Sequence, residues 1–390
     1  MSRLRYASEW DSSGYATAAR RCLYALSLLP IDLSWQPLAD AGPDGRIPSN
    51  VAIGAPDALR AMRTPAQPGD SLVIHCPPRS WRLIAEHQQA GHVIGHTVWE
   101  TERIPQLWLD EMDGVDEFWV PTEWNRRIFS EAFKRPVHVV PHVLEFQPSR
   151  PAPIDVDVDQ KVVAIVSAWD WRKRPDVTLR TALRAFDGRR DVTIVVKTGH
   201  WATGWPGTRT DPRGPVAEIL ADFPHGPRVV LVVDDWSDGE MLGLLERADC
   251  VFSLTSAEGW GLGAFDAVGV GTPVVITGHG GQVEWLGADY PGLVPFRLVE
   301  VDHPDTTLFE PGMQWAEADV DAAIDLLRGV VEGTDSQIDT HVKTLREDLQ
   351  HRYNAQAVAE ILIDVLPDPL IDAAFSRLTS ASPHGETSDE

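Results

Sequence analysis

The sequence predicts an α/β protein made of two tandem units, each a parallel sheet covered by helices on both faces. Three observations lead there. Short apolar runs alternate with helical patterns along most of the chain, the signature of β-α-β units. One stretch rich in proline and aspartate, Gln147–Asp159 (QPSRPAPIDVDVD), breaks the rhythm and reads as a linker. At 390 residues the chain also exceeds one ordinary core, since domains usually hold about 100–200 residues.

The elements follow in order. Ser12-Ser13-Gly14-Tyr15 precedes a helix over Ala16–Leu28. Ser71–Cys76, Gly91–Gly95, Glu117–Val120 and Val137–Val140 read as buried strands, with a helix over Trp124–Phe133. Past the linker, Lys161–Ser167, Val192–Thr198, Arg228–Val233, Cys250–Leu254 and Pro273–Thr277 supply further strands. Helical patterns cover Asp176–Phe186, Asp238–Arg247, Ala264–Val270, Asp319–Val331 and Asp335–Val365. The expected domains are 1–148, joined by a returning helix at about 348–366, and 160–345. Residues 367–390 read as a disordered tail. Two Rossmann-like domains facing each other would place a ligand in the cleft between them, at the carboxyl ends of the strands.

Composition narrows the function. Thirty-four basic residues against 58 acidic give a net charge of −24, and only five of the basic residues are lysine. Such a surface repels a phosphate backbone, so general nucleic-acid binding is disfavoured. No run approaches the ~20 apolar residues that cross a bilayer, and the N-terminus has no apolar signal-peptide core. Cys22, Cys76 and Cys250 lack metal-ligand spacing and read as buried thiols, so the expected location is the cytoplasm.

The strongest chemical signal is Ser253–Val275, SLTSAEGWGLGAFDAVGVGTPVV. A strand ends, Glu258 opens a turn containing Gly259, Gly261 and Gly263, and a helix follows. Glycines let backbone approach a ligand, and a helix N-terminus attracts phosphate. Glu258 is placed to accept hydrogen bonds from sugar hydroxyls, and Asp266, read in the first helical turn, to hold a ribose diol. By pattern alone, packing glycines and a dipole-compensating Asp fit equally well.

This segment resembles the E-x7-E signature of retaining GT-B glycosyltransferases of family 4, whose usual form is E-G-F-G-L-P followed by a helix and C-G-T-P-V-V. Here Trp260 stands for the aromatic, Gly263 for the proline, and Asp266 for the second Glu, one carbon shorter. Asp238–Ser256 and His279–Trp285 (HGGQVEW) resemble the flanking motifs, so the likeness runs over most of Lys161–Leu298. Ser167–Arg174 (SAWDWRKR) resembles a subfamily's R-K-N-P element; Trp169 stands where a partner arginine is usual, leaving Arg172 as the substitute.

The resemblance implies an α/β GT-B fold and a glycosyltransferase that moves a hexosyl or pentosyl group from a nucleotide sugar, UDP- or GDP-linked, with retention of configuration and no metal. It implies Lys173 and Arg172 on the diphosphate, where charge builds as the bond breaks. Gly259, Trp260, Gly261, Leu262 and Gly263 line the donor, Asp266 holds its ribose, and Lys197 and Gly14 lie at the donor's edge. It implies His96 near the sugar and Glu100 toward the acceptor. Of fifteen tryptophans, Trp99, Trp169, Trp201, Trp205, Trp236 and Trp260 fall at strand ends, and one or two are expected to touch ligand. A nucleotide-sugar epimerase and a non-catalytic nucleotide-sugar binder of the same fold stay open. So does the acceptor: a glycan, a natural product, a lipid-linked sugar or a hydroxylated DNA base.

Overall fold

Two parallel sheets, each built around the start of one half of the chain, organise the protein. The computed structural model describes residues 3–40, 46–49, 51–144, 148–200, 202–205, 208–334 and 336–373. The first half runs β1 (Leu4–Ser8), α1 (Gly14–Ser27), β2 (Leu33–Asp40), β3 (Arg46–Pro48), α2 (Asp57–Ala61), β4 (Ser71–His75), α3 (Trp81–Gln88), β5 (His92–His96), α4 (Gln106–Glu111), β6 (Glu117–Val120), α5 (Glu123–Ala132) and β7 (Val137–Val139). Its strands lie in the order β3-β2-β1-β4-β5-β6-β7, parallel except for β3.

The second half begins with β8 (Lys161–Val166), β9 (Trp169–Asp170), α6 (Pro175–Ala185), β10 (Val192–Lys197), β11 (Ala202–Trp205), β12 (Thr208–Thr210), α7 (Arg213–Ala221), β13 (Arg228–Val232), α8 (Asp238–Arg247), β14 (Cys250–Ser253), α9 (Leu262–Val270) and β15 (Val274–Thr277). It ends with α10 (Gln282–Leu286), β16 (Leu293–Val294), β17 (Phe296–Glu300), β18 (Gln314–Ala318), α11 (Val320–Val331), α12 (Ser336–Arg352) and α13 (Ala355–Val365). Six parallel strands form the second sheet in the order β13-β10-β8-β14-β15-β16, which is the 3-2-1-4-5-6 order of the Rossmann fold. The order reverses between β8 and β14. The loops leaving those two strands therefore border the switch point, where a ligand can enter.

Apart from Asp335–Val365, the strands and helices named from the sequence stand within two residues of their expected bounds. Several others were not expected. The short β1 carries Arg5, which is buried and neutralised by Asp70 at 2.9 Å, so a charge sits where an apolar run would have announced a strand. The hairpin β17–β18 was also missed, and its loop does structural work. Phe309 and Met313 bury themselves in the first unit's core beside Trp99 and Trp108, while Glu310 accepts from the Gln106 amide at the start of α4, 2.7 Å away. The second unit is thus strapped onto the first.

The C-terminal expectations need three corrections. Asp335–Val365 is not one helix: α12 ends at Arg352, and Asn354 caps α13 by accepting from the Ala357 amide at 2.9 Å. The return to the first unit therefore starts there rather than at 348. Ile338, Val342, Leu345, Leu349 and Tyr353 pack in the second core, whereas Val358, Ala359 and Leu362 pack in the first. Nor does the polar tail begin at 367, since 368–373 is helical and Leu370 is buried in the first core. Residues 374–390, like Gln147 of the expected linker, lie outside the described residues; 148–159 contain no helix or strand.

Candidate active site

Glycine and proline shape the two loops that meet at the crevice. After β8 the chain forms β9 and a tight turn that ends at Arg174, in a left-handed conformation (φ 49°), before Pro175 starts α6. After β14, Gly261 (φ 81°) caps α9 in a conformation that favours glycine. No side chain caps α9, so its first amides are left as donors without an intrahelical partner, as at any helix start. Lys173 and Glu258, 85 residues apart, meet there. The Lys173 Nζ lies 2.5 Å from both Glu258 carboxylate oxygens.

Arg172 extends the cluster across the crevice. Its guanidinium donates to the Ala257 carbonyl (2.5 Å), lies 3.7 Å from Glu258, and pairs with Glu100 of the first unit at 3.2 Å. All four side chains are between 12% and 22% exposed. Their electrostatics differ. Burial pushes the Glu258 carboxyl up, but Lys173 and then Arg172 outweigh burial and hold it below its ordinary value. Glu100 goes the other way, because burial raises it and the same cations only partly compensate. Arg172 itself is driven up: burial opposes its charge, and Glu100 and Glu258 prevail.

The Lys173–Glu258 pair makes a pH-dependent contribution whose sign is fixed. A carboxyl depressed in the folded state stabilises above its unfolded value, near 4.5 for Glu, and loses that contribution as pH falls through the folded value. The melting temperature of the native chain is therefore expected to exceed that of Glu258→Gln at neutral pH. The gap closes as the pH is taken below about 4.5, as a melting series in both proteins would show.

Three histidines close the floor of the crevice on the first unit's side. His75 ends β4, His96 ends β5 and His142 follows β7. His75 and His96 stack with ring centres 3.9 Å apart, and His142 lies 6.4 to 6.5 Å from both. The Tyr6 hydroxyl reaches Nδ1 of His75 at 2.6 Å and of His96 at 3.2 Å. Burial depresses all three and keeps them neutral; His142, which also faces Arg21, falls to about 3. Sequence reading singled out His96 alone. The missed signal was that VIH and IGH end two neighbouring strands with histidine, while VVPH carries a third just past β7.

Other expected residues take different places. His96 is at the strand end, but its ring is buried in the stack rather than open to the crevice. Glu100 is tied to Arg172. Trp260 is a core residue, packed edge-on against Phe265, Tyr353 and His142. Gly259 admits the first unit on its side-chain side, where a Cβ would stand 1.7 Å from Cγ2 of Val98. Leu262 reaches toward Gly14, whose Cβ would lie 3.7 Å from it, and Gly14 opens α1 behind the Ser13 cap. Gly263 fits against Val166. Lys197 ends β10 beside Val166 in register, half-buried, with its ammonium 5.6 Å from the Trp236 ring.

Asp266 is the clearest correction. It stands in the second turn of α9 rather than the first, and both of its oxygens accept from Arg21 of α1, at 2.7 and 2.8 Å. Among the tryptophans, Trp99 and Trp169 are buried, Trp236 is partly exposed, and the side chains of Trp201 and Trp205 lie outside the described residues. Among the described residues no group of three or more His, Cys, Asp or Glu is arranged to hold a metal, and no helix is long and apolar enough to cross a membrane.

Solved structures share this architecture. Sucrose-phosphate synthase from Thermosynechococcus elongatus matches with a TM-score of 0.62 at 15% identity, over 98% of this chain and 100% of that one. HepE from Anabaena, solved with UDP-glucose, matches with a TM-score of 0.60 at 12% identity, over 97% and 100%. The fold is GT-B. A variant of S. aureus TarM, solved with Fondaparinux, alpha-GlcNAc-glycerol and UDP, matches with a TM-score of 0.53 at 15% identity. That match covers 76% of this GT-B chain and only 55% of TarM. Residues 203–362 match the model of a family described as family 4 glycosyltransferase in conflict systems. No curated protein matches in sequence.

Proposed function

We propose that this GT-B protein is a retaining glycosyltransferase that moves a sugar from a UDP- or GDP-linked donor to an acceptor hydroxyl. The observation that carries the reading is the meeting of Lys173 and Glu258 beside the uncapped start of α9, at the point where strand order reverses. A diphosphate seated on the α9 amides would take the Lys173 ammonium, with Arg172 behind it, and release Glu258 to the hydroxyls of the donor sugar. The family 4 match and the nucleotide-bound neighbours support the same assignment.

In the proposed reaction the acceptor oxygen attacks the anomeric carbon from the face that the diphosphate is leaving. The C–O bond to the β-phosphate breaks as the new one forms, and the acceptor proton passes to a phosphate oxygen. Lys173 and Arg172 neutralise the charge that builds on the leaving group. Lys197 lies at the edge of the donor site, and the buried His75–His96 stack supports the strand ends beneath it. The first unit, 1–148 with α13, serves the acceptor, and 160–345 serves the donor. Glu100 positions Arg172 rather than the acceptor. Free, buried cysteines fit a reducing compartment.

A melting screen against UDP-, GDP-, ADP- and dTDP-sugars tests the reading. A donor at 100 times its Kd stabilises the folded state by about 2.7 kcal/mol, so one nucleotide class should raise the melting temperature and then be consumed. If none of them binds or turns over, the assignment is wrong.

A further inference from the structure

The pair Arg21–Asp266 joins the two halves of the molecule at a position where the resemblance expected a ribose contact. The guanidinium forks onto both carboxylate oxygens at 2.7 and 2.8 Å, and the side chains are only 10% and 15% exposed. A third contact, 3.4 Å from Arg21 to the Val143 carbonyl, reaches the segment that leaves the first sheet for the second unit. One side chain therefore ties α1, α9 and the connecting segment together. Forked Arg–carboxylate pairs fix orientation as well as distance.

Asp266 also sits one turn behind the glycine turn of 258–261 on the same rigid helix. Whatever fixes α9 against α1 fixes that turn too, including the seating of Gly259 on Val98. A ribose diol held by Asp266 would have to share the two oxygens on which Arg21 already forks. Aspartate, a carbon shorter than glutamate, draws the guanidinium close to α9 and leaves a shorter reach toward a ligand.

We propose that Arg21 is a positioning residue whose pairing with Asp266 latches the donor helix to the first unit, and that Asp266 does not grip the donor ribose. The proposal rests on the glycosyl-transfer reading for its kinetic consequence but not for its structural one. Other contacts also hold the halves together, among them Arg172–Glu100 and the Glu284 carboxylate on the amides of Glu123 and Trp124. Removing the latch should loosen the arrangement without unfolding it.

The experiment uses the full chain in four forms: native, Arg21→Asp, Asp266→Arg, and the exchanged pair carrying both. Each is measured by small-angle scattering without ligand, by melting temperature, and by donor KM and kcat. Each single variant should enlarge the radius of gyration and raise donor KM roughly 10-fold, and the exchanged pair should recover most of both. Asp266→Asn with normal and 2′-deoxyribose donors completes the set. The native chain and Asp266→Asn should show the same preference between those donors. The proposal is overturned if the exchanged pair is no better than Asp266→Arg alone, or if Asp266→Asn erases the ribose preference. Should the native chain turn over no donor while scattering and melting still follow the exchange, the latch stands and the transferase reading fails.

Discussion

Lys173→Ala is expected to lower the rate of sugar transfer by about 10²–10³-fold while the chain stays folded. The size follows from what the ammonium does. It is the cation in direct contact with Glu258, at the mouth of the α9 amides, so a leaving diphosphate would lose its nearest positive charge. The fold should tolerate the change, because Lys173 contributes no apolar burial to either core and Arg172 stays within 3.7 Å of the Glu258 carboxylate. Single-turnover transfer measured beside a melting curve separates the two effects. A chain that only binds nucleotide sugars would have no turnover to lose, and transfer within threefold of native would remove Lys173 from the mechanism.

Gly259→Ala is expected to cost about 10²-fold in kcat/KM through misplacement of the turn, rather than through lost chemistry. An added Cβ would lie 1.7 Å from Cγ2 of Val98, 3.0 Å from its Cβ and 3.2 Å from the Trp99 carbonyl. The first contact is far inside van der Waals range, so Val98 must be displaced and the seating of the turn on the first unit disturbed. The second variant Val98→Ala removes the atom responsible. The double variant should therefore regain much of the activity, stopping short of native because the 3.0 Å contact persists. Scattering should follow the same order. Activity in Gly259→Ala equal to native, or a double variant as impaired as the single one, would refute the steric account.

The candidate site was legible to different depths. Lys173, Arg172 and Glu258 could be named because each sits in a local pattern, a turn after a strand, whose chemistry does not depend on the rest of the chain. Their convergence follows from strand order, which two Rossmann-like units already imply. Trp260 and Gly259 allow a second reading for a common reason. A glycine or an aromatic in a turn shows that something comes close, without showing whether that is a ligand or another part of the protein. At Gly259 it is Val98, and at Trp260 it is the core around Phe265 and Tyr353.

By itself the sequence determined what short-range physics controls: the alternation of strands and helices, the glycine turn at 258–261, and the acidity that disfavours a polyanionic partner. Tertiary structure alone decided which distant groups meet. Arg21 finds Asp266 across 245 residues, Glu100 finds Arg172, the strand-end His75 and His96 stack, and the 301–313 loop buries Phe309 in the other unit. The reason is physical. Periodicity and capping act over a turn or two of chain, whereas an ion pair or a buried ring is specified by the packing of whole sheets, and that has no local signature.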